Sequence, residues 1–171
     1  MLSYFGPTEK YSMPTLLLTV AFSFLAIAVL AGLDQVSDNP YLIASFGATA
    51  VLVFGAPKAK FSHPKNVFFG HLFSALIGVT VAYSFNILGI LDDLRWLACA
   101  VSVSVSILVM MLTGTIHPPG GATALTCTIS GYTSLVYVFR PIMLGVVTLL
   151  ILALMLHEIG VHFGRKGPEE S

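Results

Sequence analysis

Charged side chains are scarce in this chain: Asp, Glu, Lys and Arg make up 9% of its 171 residues, whereas apolar residues make up 56%. Soluble domains carry about 25% charged residues, so this composition excludes an ordinary soluble domain and predicts an integral membrane protein. The formal net charge is zero. The chain therefore lacks the basic surface that binding to a nucleic-acid backbone requires, and we expect no nucleic-acid partner.

Cysteine is scarce as well. The two cysteines, Cys99 and Cys127, lie in separate apolar segments, with a spacing that fits neither a disulfide framework nor a metal site. His157 and His162 superficially match a zinc-protease motif, but that motif needs histidines four residues apart, and these are five apart. We therefore expect no metal and no cofactor, and we interpret this segment as a cap that contacts Arg165.

Long apolar runs take up most of the chain. The first has the roughly 20 residues that a helix needs to cross a bilayer, and it is too long for the core of a signal peptide. Two runs are short for a full crossing and are predicted to be broken or re-entrant half helices. The predicted segments are about 14–33, 41–56, 66–91, 94–112, 121–129 and 141–162. They predict an all-α membrane protein with a single transmembrane domain over residues 1–171.

The stretch from Thr113 to Ala124 interrupts the apolar pattern with one histidine, two prolines and three glycines. Pro118 and Pro119 lack amide donors, and Pro118 disfavours the helical conformation at His117. Small and apolar residues follow Gly121, which predicts that a new helix starts there. Its free amides would then face the His-Pro-Pro segment.

The two short segments share a sequence. Gly-Ala-Thr-Ala occurs at 47–50 and again at 121–124, and a long segment opened by a proline follows each. We interpret this as two repeats, at about 14–91 and 94–163. Three crossings in each would invert the second repeat, so that both half helices aim their positive amino ends at the bilayer centre, which suits a small anion. If both short segments are re-entrant, the chain crosses four times and the repeats are parallel.

The basic residues predict the orientation. With six crossings and the amino terminus inside, most of them lie on the cytoplasmic side and only Arg95 and Arg140 lie outside. By the positive-inside rule, both termini are therefore cytoplasmic. The basic residues on that side are Lys10, Lys58, Lys60, Lys65, Arg165 and Lys166.

The His-Pro-Pro stretch resembles a known family when it is taken with three other strings: Ser-Phe-Gly-Ala-Thr-Ala at 45–50, Pro-Lys-Asn at 64–66 and Gly-His at 70–71. Together they resemble the HPP family of integral membrane proteins, which is often described with four spanning helices. Members from cyanobacteria and chloroplasts are associated with nitrite transport. The resemblance therefore implies nitrite as the substrate, and a bacterial inner membrane or a chloroplast envelope as the location.

Candidate substrate-binding residues surround the starts of the two short segments. They are Ser45, Phe46, Gly47, Ala48 and Thr49 in the first repeat, and His117, Pro118, Pro119, Gly120, Gly121, Ala122 and Thr123 in the second. His117 either contacts the anion or hydrogen-bonds the broken backbone. Asn66 and His71 are candidate pathway or relay residues, and an interhelical hydrogen bond is the other interpretation of His71. We expect no catalytic residue.

The leading hypothesis is a transporter or permease for a small monovalent anion, nitrite first, bound near the bilayer midplane between two half-helix starts. The alternatives are an anion channel of other specificity, an accessory subunit, and a membrane-embedded metalloenzyme that uses His117. The enzyme hypothesis lacks further ligands at fixed spacing, so we expect no enzyme. Because six short segments enclose little volume, we expect a homo-oligomer, specifically a homodimer.

Overall fold

The computed structural model describes residues 11–37 and 40–162, with residues 161 and 162 described for their backbone only; within these ranges the chain is helical and has no strand. The helices are α1 (Met13–Val36), α2 (Ala44–Ala50), α3 (Pro64–Ile87), α4 (Arg95–Thr113), α5 (Pro118–Ile129) and α6 (Leu144–His162). π-helical turns extend the end of α2 (Val51–Gly55) and the start of α6 (Val138–Met143), and a 3-10 turn (Lys60–Ser62) precedes α3. The predicted all-α class is confirmed for the described residues.

Four helical runs are long and apolar enough to cross a membrane: α1, α3, α4 and the run Val138–Gly160. This finding confirms the prediction of an integral membrane protein. The apolar run Ala44–Gly55 and the 12-residue helix α5 are both shorter. At 1.5 Å per residue each is only about 18 Å long, against a hydrocarbon layer of about 30 Å.

The start of α5 differs from the predicted one, because the helix begins at Pro118 and not at Gly121. Proline is tolerated in the first turn of a helix, where its missing amide would have no partner inside the helix. As a result, the amide of Gly120 donates to the carbonyl of His117 at 2.8 Å, and the amides of the following residues lie inside the helix. The prediction of free amides at this helix start is therefore wrong.

The central helix is α3, and glycines let α5 approach it closely. The apolar part of α3 is 44% buried, compared with 11% for α1, which faces mainly outward. A Cβ atom added at Gly78 would lie 2.6 Å from the carbonyl oxygen of Ala124, and one added at Gly120 would lie 2.8 Å from that of Gly70. Such small residues at helix contacts are typical of membrane proteins, in which backbones pack closely.

The two short helices lie side by side. Ser45 at the start of α2 contacts Thr123 in the second turn of α5, and Thr49 further along α2 contacts His117 at the start of α5. The helices α2 and α5 therefore run antiparallel and overlap by about one turn. Their amino ends pass each other and do not meet end to end.

Two arginine side chains join neighbouring segments at one end of the molecule. The Arg95 side chain, at the start of α4, donates to the carbonyl of Ile129 at the end of α5, at 2.6 Å. Arg140 donates to the hydroxyl of Tyr41 at 3.4 Å and so joins the π-helical turn before α6 to the segment before α2. The turn Lys60–Ser62 and the start of α3 lie at the opposite end of the molecule. This follows because α3 runs the length of the molecule and ends shortly before Arg95.

Candidate functional site

The chain enters the His-Pro-Pro segment through a tight turn at the end of α4. Gly114 has a φ of 62°, a conformation that favours glycine, and the amide of Thr115 donates back to the carbonyl of Met110 at 2.9 Å. His117 is extended, with φ −139° and ψ 101°, as the proline after it requires. The predicted break in the helical backbone at His117 is therefore confirmed.

His117 is fully buried and contacts three parts of the chain. Its Nδ1 lies 2.8 Å from the carbonyl oxygen of Phe61, and because a carbonyl only accepts, Nδ1 carries a proton and donates. Its Nε2 lies 3.1 Å from Oγ1 of Thr49. Gly70 makes room for this side chain, since a Cβ atom added there would lie 2.7 Å from the Cβ of His117. His117 thus bonds the backbone of the turn before α3, whereas the predicted hydrogen bond was to the broken backbone of its own segment.

His71 of α3 joins the two short helices. Its Nε2 lies 2.8 Å from Oγ1 of Thr49 in α2, and its Nδ1 lies 2.7 Å from Oγ1 of Thr123 in α5. The Thr123 hydroxyl in turn donates to the Ser45 hydroxyl at 2.9 Å. Together with His117, these fully buried side chains form a continuous series that we call the polar chain: Ser45, Thr123, His71, Thr49 and His117. His71 therefore makes interhelical hydrogen bonds, one of its two predicted roles, and the relay role stays a prediction.

Asn66 lies beside the polar chain and outside it. Its side-chain amide donates to the carbonyl of Lys60 at 3.0 Å and to that of Ile116 at 3.3 Å. These bonds fasten the start of α3 to the turn before it and to the extended segment before α5. Asn66 thus supports the position of His117, and its predicted pathway role stays a prediction.

Helical periodicity divides the predicted substrate-binding residues between two faces. The buried face of the two short helices consists of Ser45, Phe46, Thr49, His117, Pro119, Gly120 and Thr123. The exposed face consists of Gly47, Ala48, Pro118 and Ala122, with Gly121 half-exposed. The structure brings only the first set together around the polar chain, where the Phe46 ring meets that of His71 edge to face at 5.9 Å between centroids.

Ser74 is a polar residue at this site that the sequence analysis did not select. It is fully buried one turn after His71, and in the described part of the chain its Oγ is the buried side-chain polar atom that has no hydrogen-bond partner. A Cβ atom added at Gly120 would lie 3.0 Å from this oxygen, so the hydroxyl sits against the start of α5. Its spacing of three residues from His71 places both on one face of α3, and this spacing was the available signal.

The carboxyl ends of both short helices are also held by side chains. The Ser62 hydroxyl contacts the carbonyls of Leu52 at 2.9 Å and Ala56 at 2.7 Å, after α2. At the end of α5, the Arg95 side chain donates a hydrogen bond to the carbonyl of Ile129. Carbonyls at a helix end have no partner inside the helix, so these side chains stabilise the positions of both short helices.

The residues described do not include a group of three or more His, Cys, Asp or Glu side chains that could hold a metal ion. His157 is exposed near the end of α6. Its predicted companions, the His162 side chain and Arg165, lie outside the described residues.

Comparison with known proteins identifies the family. Residues 8–166 match the model of a family described as HPP, transmembrane region. Two transmembrane proteins of Dictyostelium discoideum are similar to the chain, with 38% identity over 151 residues and 36% over 153. Each alignment covers 84% of this chain but only 46% and 50% of the relatives, so the chain spans about half the length of these curated proteins. No solved structure matches it. The matched region contains the whole polar chain, and the protein belongs to the HPP transmembrane family.

Proposed function

We propose that this protein transports a small monovalent anion across its membrane, with nitrite as the first candidate. The observation that carries the proposal is the polar chain, whose five side chains are fully buried among the helices of a membrane protein. Polar and ionisable groups at membrane depth are costly, and where they occur they mark substrate and ion pathways. A solute bound at the polar chain would lie between α2, α3 and α5.

Ser74 supports an anion as the solute. A buried hydroxyl without a partner is rare in native structures, and it suits a ligand that accepts a hydrogen bond. Gly120 lies against this hydroxyl without a side chain of its own, so an anion that binds Ser74 displaces the start of α5 from α3. Nitrite offers acceptor atoms and one negative charge, so it complements both the Ser74 donor and a nearby histidine that can take up a proton.

The choice of nitrite among small anions rests on the resemblance of the His-Pro-Pro stretch to cyanobacterial and chloroplast proteins associated with nitrite transport. The same resemblance supports a bacterial inner membrane or a chloroplast envelope. The basic residues around the Lys60–Ser62 turn support an orientation with that end and both termini on the cytoplasmic or stromal side.

The proposed architecture is a single transmembrane domain of two inverted repeats, at about 14–91 and 94–163. Equivalent contacts support it. Gly120 of α5 packs closely against Gly70 of α3, and in the corresponding place Phe46 of α2 packs closely against Gly145 of α6. An inverted pair of repeats produces such paired contacts, because each short helix then meets the long helix that follows the other short helix.

Each short helix gains the length for a full crossing from the extended residues before it. Residues 40–43 precede α2 and residues 115–117 precede α5, and neither stretch is helical. Three or four extended residues add roughly 10–13 Å to the 18 Å of helix, giving about 30 Å. We therefore favour six crossings over four.

Cysteine accessibility tests the number of crossings. In a variant without Cys99 and Cys127, we expect Gln35→Cys and Lys58→Cys to react with a membrane-impermeant thiol reagent from opposite sides of the membrane. Four crossings with a re-entrant α2 would place both cysteines on the same side. Labelling of both from one side would therefore overturn the six-crossing topology.

We also propose a homodimer. The exposed face of the short helices presents Gly47, Ala48 and Ala122, and small residues of this kind let membrane helices approach closely. Light scattering of the purified protein in detergent should give twice the protomer mass after subtraction of the detergent. A protomer mass that persists at high protein concentration would contradict the dimer.

Transport is tested by nitrite uptake into proteoliposomes, with Ser74→Ala as the informative variant and Ser84→Ala as its control. Ser84 lies on the same helix, is exposed and bonds the carbonyl of Thr80 at 2.8 Å. Because Ser74 loses no hydrogen bond within the protein, Ser74→Ala should keep the melting temperature but lower uptake, whereas Ser84→Ala should change neither. Wild-type uptake no faster than in protein-free vesicles, for nitrite and for similar anions, would refute the proposal.

The same vesicles separate a transporter from an anion channel of other specificity. A transporter should show uptake that saturates with nitrite concentration, since each turnover requires binding at the polar chain. Uptake that rises linearly, together with single-channel currents carried by other anions, would favour the channel. The proposal includes no enzymatic activity.

A further inference from the structure

Three exposed lysines lie close together where α3 begins: Lys58, Lys60 and Lys65. Residues 58–65, which we call the basic turn, contain no acidic side chain. In the part of the chain that the structure describes, the salt bridge joins Arg95 to Asp92 at the opposite end of the molecule and involves none of these lysines. Within the described residues, three positive charges therefore face outward here without a negative partner.

The basic turn lies at the edge of the membrane. It includes Pro64, the first residue of α3, which is one of the helices long and apolar enough to cross a bilayer. The ring of Phe61 lies between these lysines and is 39% exposed. An aromatic ring beside lysines suits the boundary between headgroups and acyl chains, where the ring meets the acyl chains and the ammonium groups stay with the headgroups. A small soluble anion would match the lysines but would leave the ring uncovered.

The backbone of the basic turn also holds one end of the polar chain. The carbonyl of Phe61 accepts the hydrogen bond from Nδ1 of His117 at 2.8 Å. The carbonyl of Lys60 accepts a bond from the Asn66 side chain at 3.0 Å, and Asn66 also bonds the carbonyl of Ile116. Two residues whose side chains face outward thus carry the carbonyls that fix His117 and the segment before it. A ligand on those side chains would restrain these carbonyls as well.

We propose that the basic turn binds the headgroups of anionic phospholipids and that this binding stabilises the contact between Phe61 and His117. The lysine ammonium groups donate to the phosphate oxygens, and each lysine near an anionic surface favours association by about fivefold. The lipid binding stands without any transport. Its effect on the polar chain rests on the proposed function, because that effect is a regulation of the proposed site.

Fluorescence quenching by lipids with brominated acyl chains tests the binding. The chain has one tryptophan, Trp96, which is 69% exposed and lies beside the paired Arg95 at the opposite end. A variant with Phe61→Trp and Trp96→Phe reports from the basic turn, and the wild type reports from the other end. In phosphatidylcholine vesicles, brominated phosphatidylglycerol should associate with the introduced tryptophan about fivefold more strongly than brominated phosphatidylcholine does. For Trp96 this ratio should be near one.

Charge variants of the basic turn sharpen the test. In the reporter protein, replacing all three lysines by glutamine should bring the ratio near one, whereas replacing all three by arginine should preserve it. Equal ratios at the two tryptophan positions, or a ratio that the glutamine variant keeps, would overturn the proposal. Displacement of the brominated phosphatidylglycerol by millimolar inorganic phosphate would also overturn it, since the surface would then bind a soluble anion. If the glutamine variant does not fold, the ratios at the two positions still decide.

Nitrite uptake tests the effect on the polar chain. In vesicles that contain phosphatidylglycerol, the wild type and the arginine variant should transport faster than the glutamine variant, and in pure phosphatidylcholine the three rates should be alike. The anionic surface repels nitrite equally from all three proteins, so the ratio of their rates is the measurement. Preferential quenching with equal rates in both kinds of vesicle would overturn the regulation and leave the lipid binding standing. Absence of uptake by every protein would refute the proposed function, while the quenching ratios would still decide the binding.

Discussion

The two faces of the short helices differ in what their residues contact. On the buried face, Thr49 and Thr123 bond the two ring nitrogens of His71, and a side chain added at Gly120 would overlap α3. On the exposed face, an added side chain at Gly47 or Gly121 would meet nothing within 4 Å. The repeated Gly-Ala-Thr-Ala string is thus split, with its threonine in the site and its glycine and first alanine directed outward or only partly covered.

The repeated string therefore contains two sets of residues with different roles. The threonines hold the polar chain, and their hydrogen bonds are made inside one protomer. The glycines and alanines of the exposed face have no such contacts within the protomer, so their small size matters for what lies outside it, lipid or a second copy. The two faces therefore predict opposite responses to the same kind of substitution.

The largest difference is expected between neighbouring glycines of α5. Gly120→Ala places a Cβ atom 2.8 Å from the carbonyl oxygen of Gly70, a backbone atom that cannot move aside alone. We expect a loss of about 1–3 kcal/mol in the free energy of unfolding. Gly121→Ala, with nothing within 4 Å, should gain up to about 1 kcal/mol from better helix propensity. Thermal unfolding in detergent measures both, and equal melting temperatures would contradict the described contact between α3 and α5.

An effect of comparable size is expected from the threonines of the polar chain. Thr49→Val leaves both Nε2 atoms, of His71 and His117, without their partner, and each unpaired buried group costs about 1–3 kcal/mol. Thr123→Val likewise leaves two buried groups without their partner, Nδ1 of His71 and the Ser45 hydroxyl, and should cost a similar amount. Thr126 also lies on α5 but outside the polar chain, and its hydroxyl bonds the carbonyl of Ala122, so Thr126→Val is a control that should lie within about 0.5 kcal/mol of the wild type. The same unfolding measurement ranks the three, and a Thr49→Val protein as stable as Thr126→Val would refute the polar chain.

The smallest effect on the protomer is expected at the exposed face. Gly47→Ala should stabilise an isolated protomer by up to about 1 kcal/mol, because alanine favours the helix and the position is open. If two copies pack there, Gly47→Leu should shift the light-scattering mass toward the protomer and leave protomer unfolding nearly unchanged. A dimer that tolerates Gly47→Leu would place the interface elsewhere.

Much of the architecture could be predicted from the sequence because membrane helices follow from apolar length. The apolar length of the sequence predicts the runs around α1, α3, α4 and α6, and the two prolines predict the break at His117. The start of α5 was misplaced because two prolines were interpreted as lying before the helix, although proline fits its first turn. Helix starts of this kind depend on one or two backbone angles, which composition does not specify.

The polar chain itself could be predicted only as separate residues. His71 and His117 were candidates, but their joint contact with Thr49 depends on how α2, α3 and α5 pack. The string also makes Gly47 and Ala48 candidates beside Thr49, since order in the sequence does not show which face is buried. Ser74 was missed because a serine in an apolar helix is usually a packing residue, and only the structure shows that its hydroxyl has no partner.

The position of a bound anion tests the central claim most directly. A crystal of the purified protein soaked in bromide, a small monovalent anion that anomalous scattering identifies, would show where such an anion binds. The account predicts bromide between α3 and α5, within hydrogen-bond distance of the Ser74 hydroxyl and close to His117. Bromide found only on the exposed face, between Gly47 and Gly121, or no bromide at the polar chain at any concentration, would contradict it.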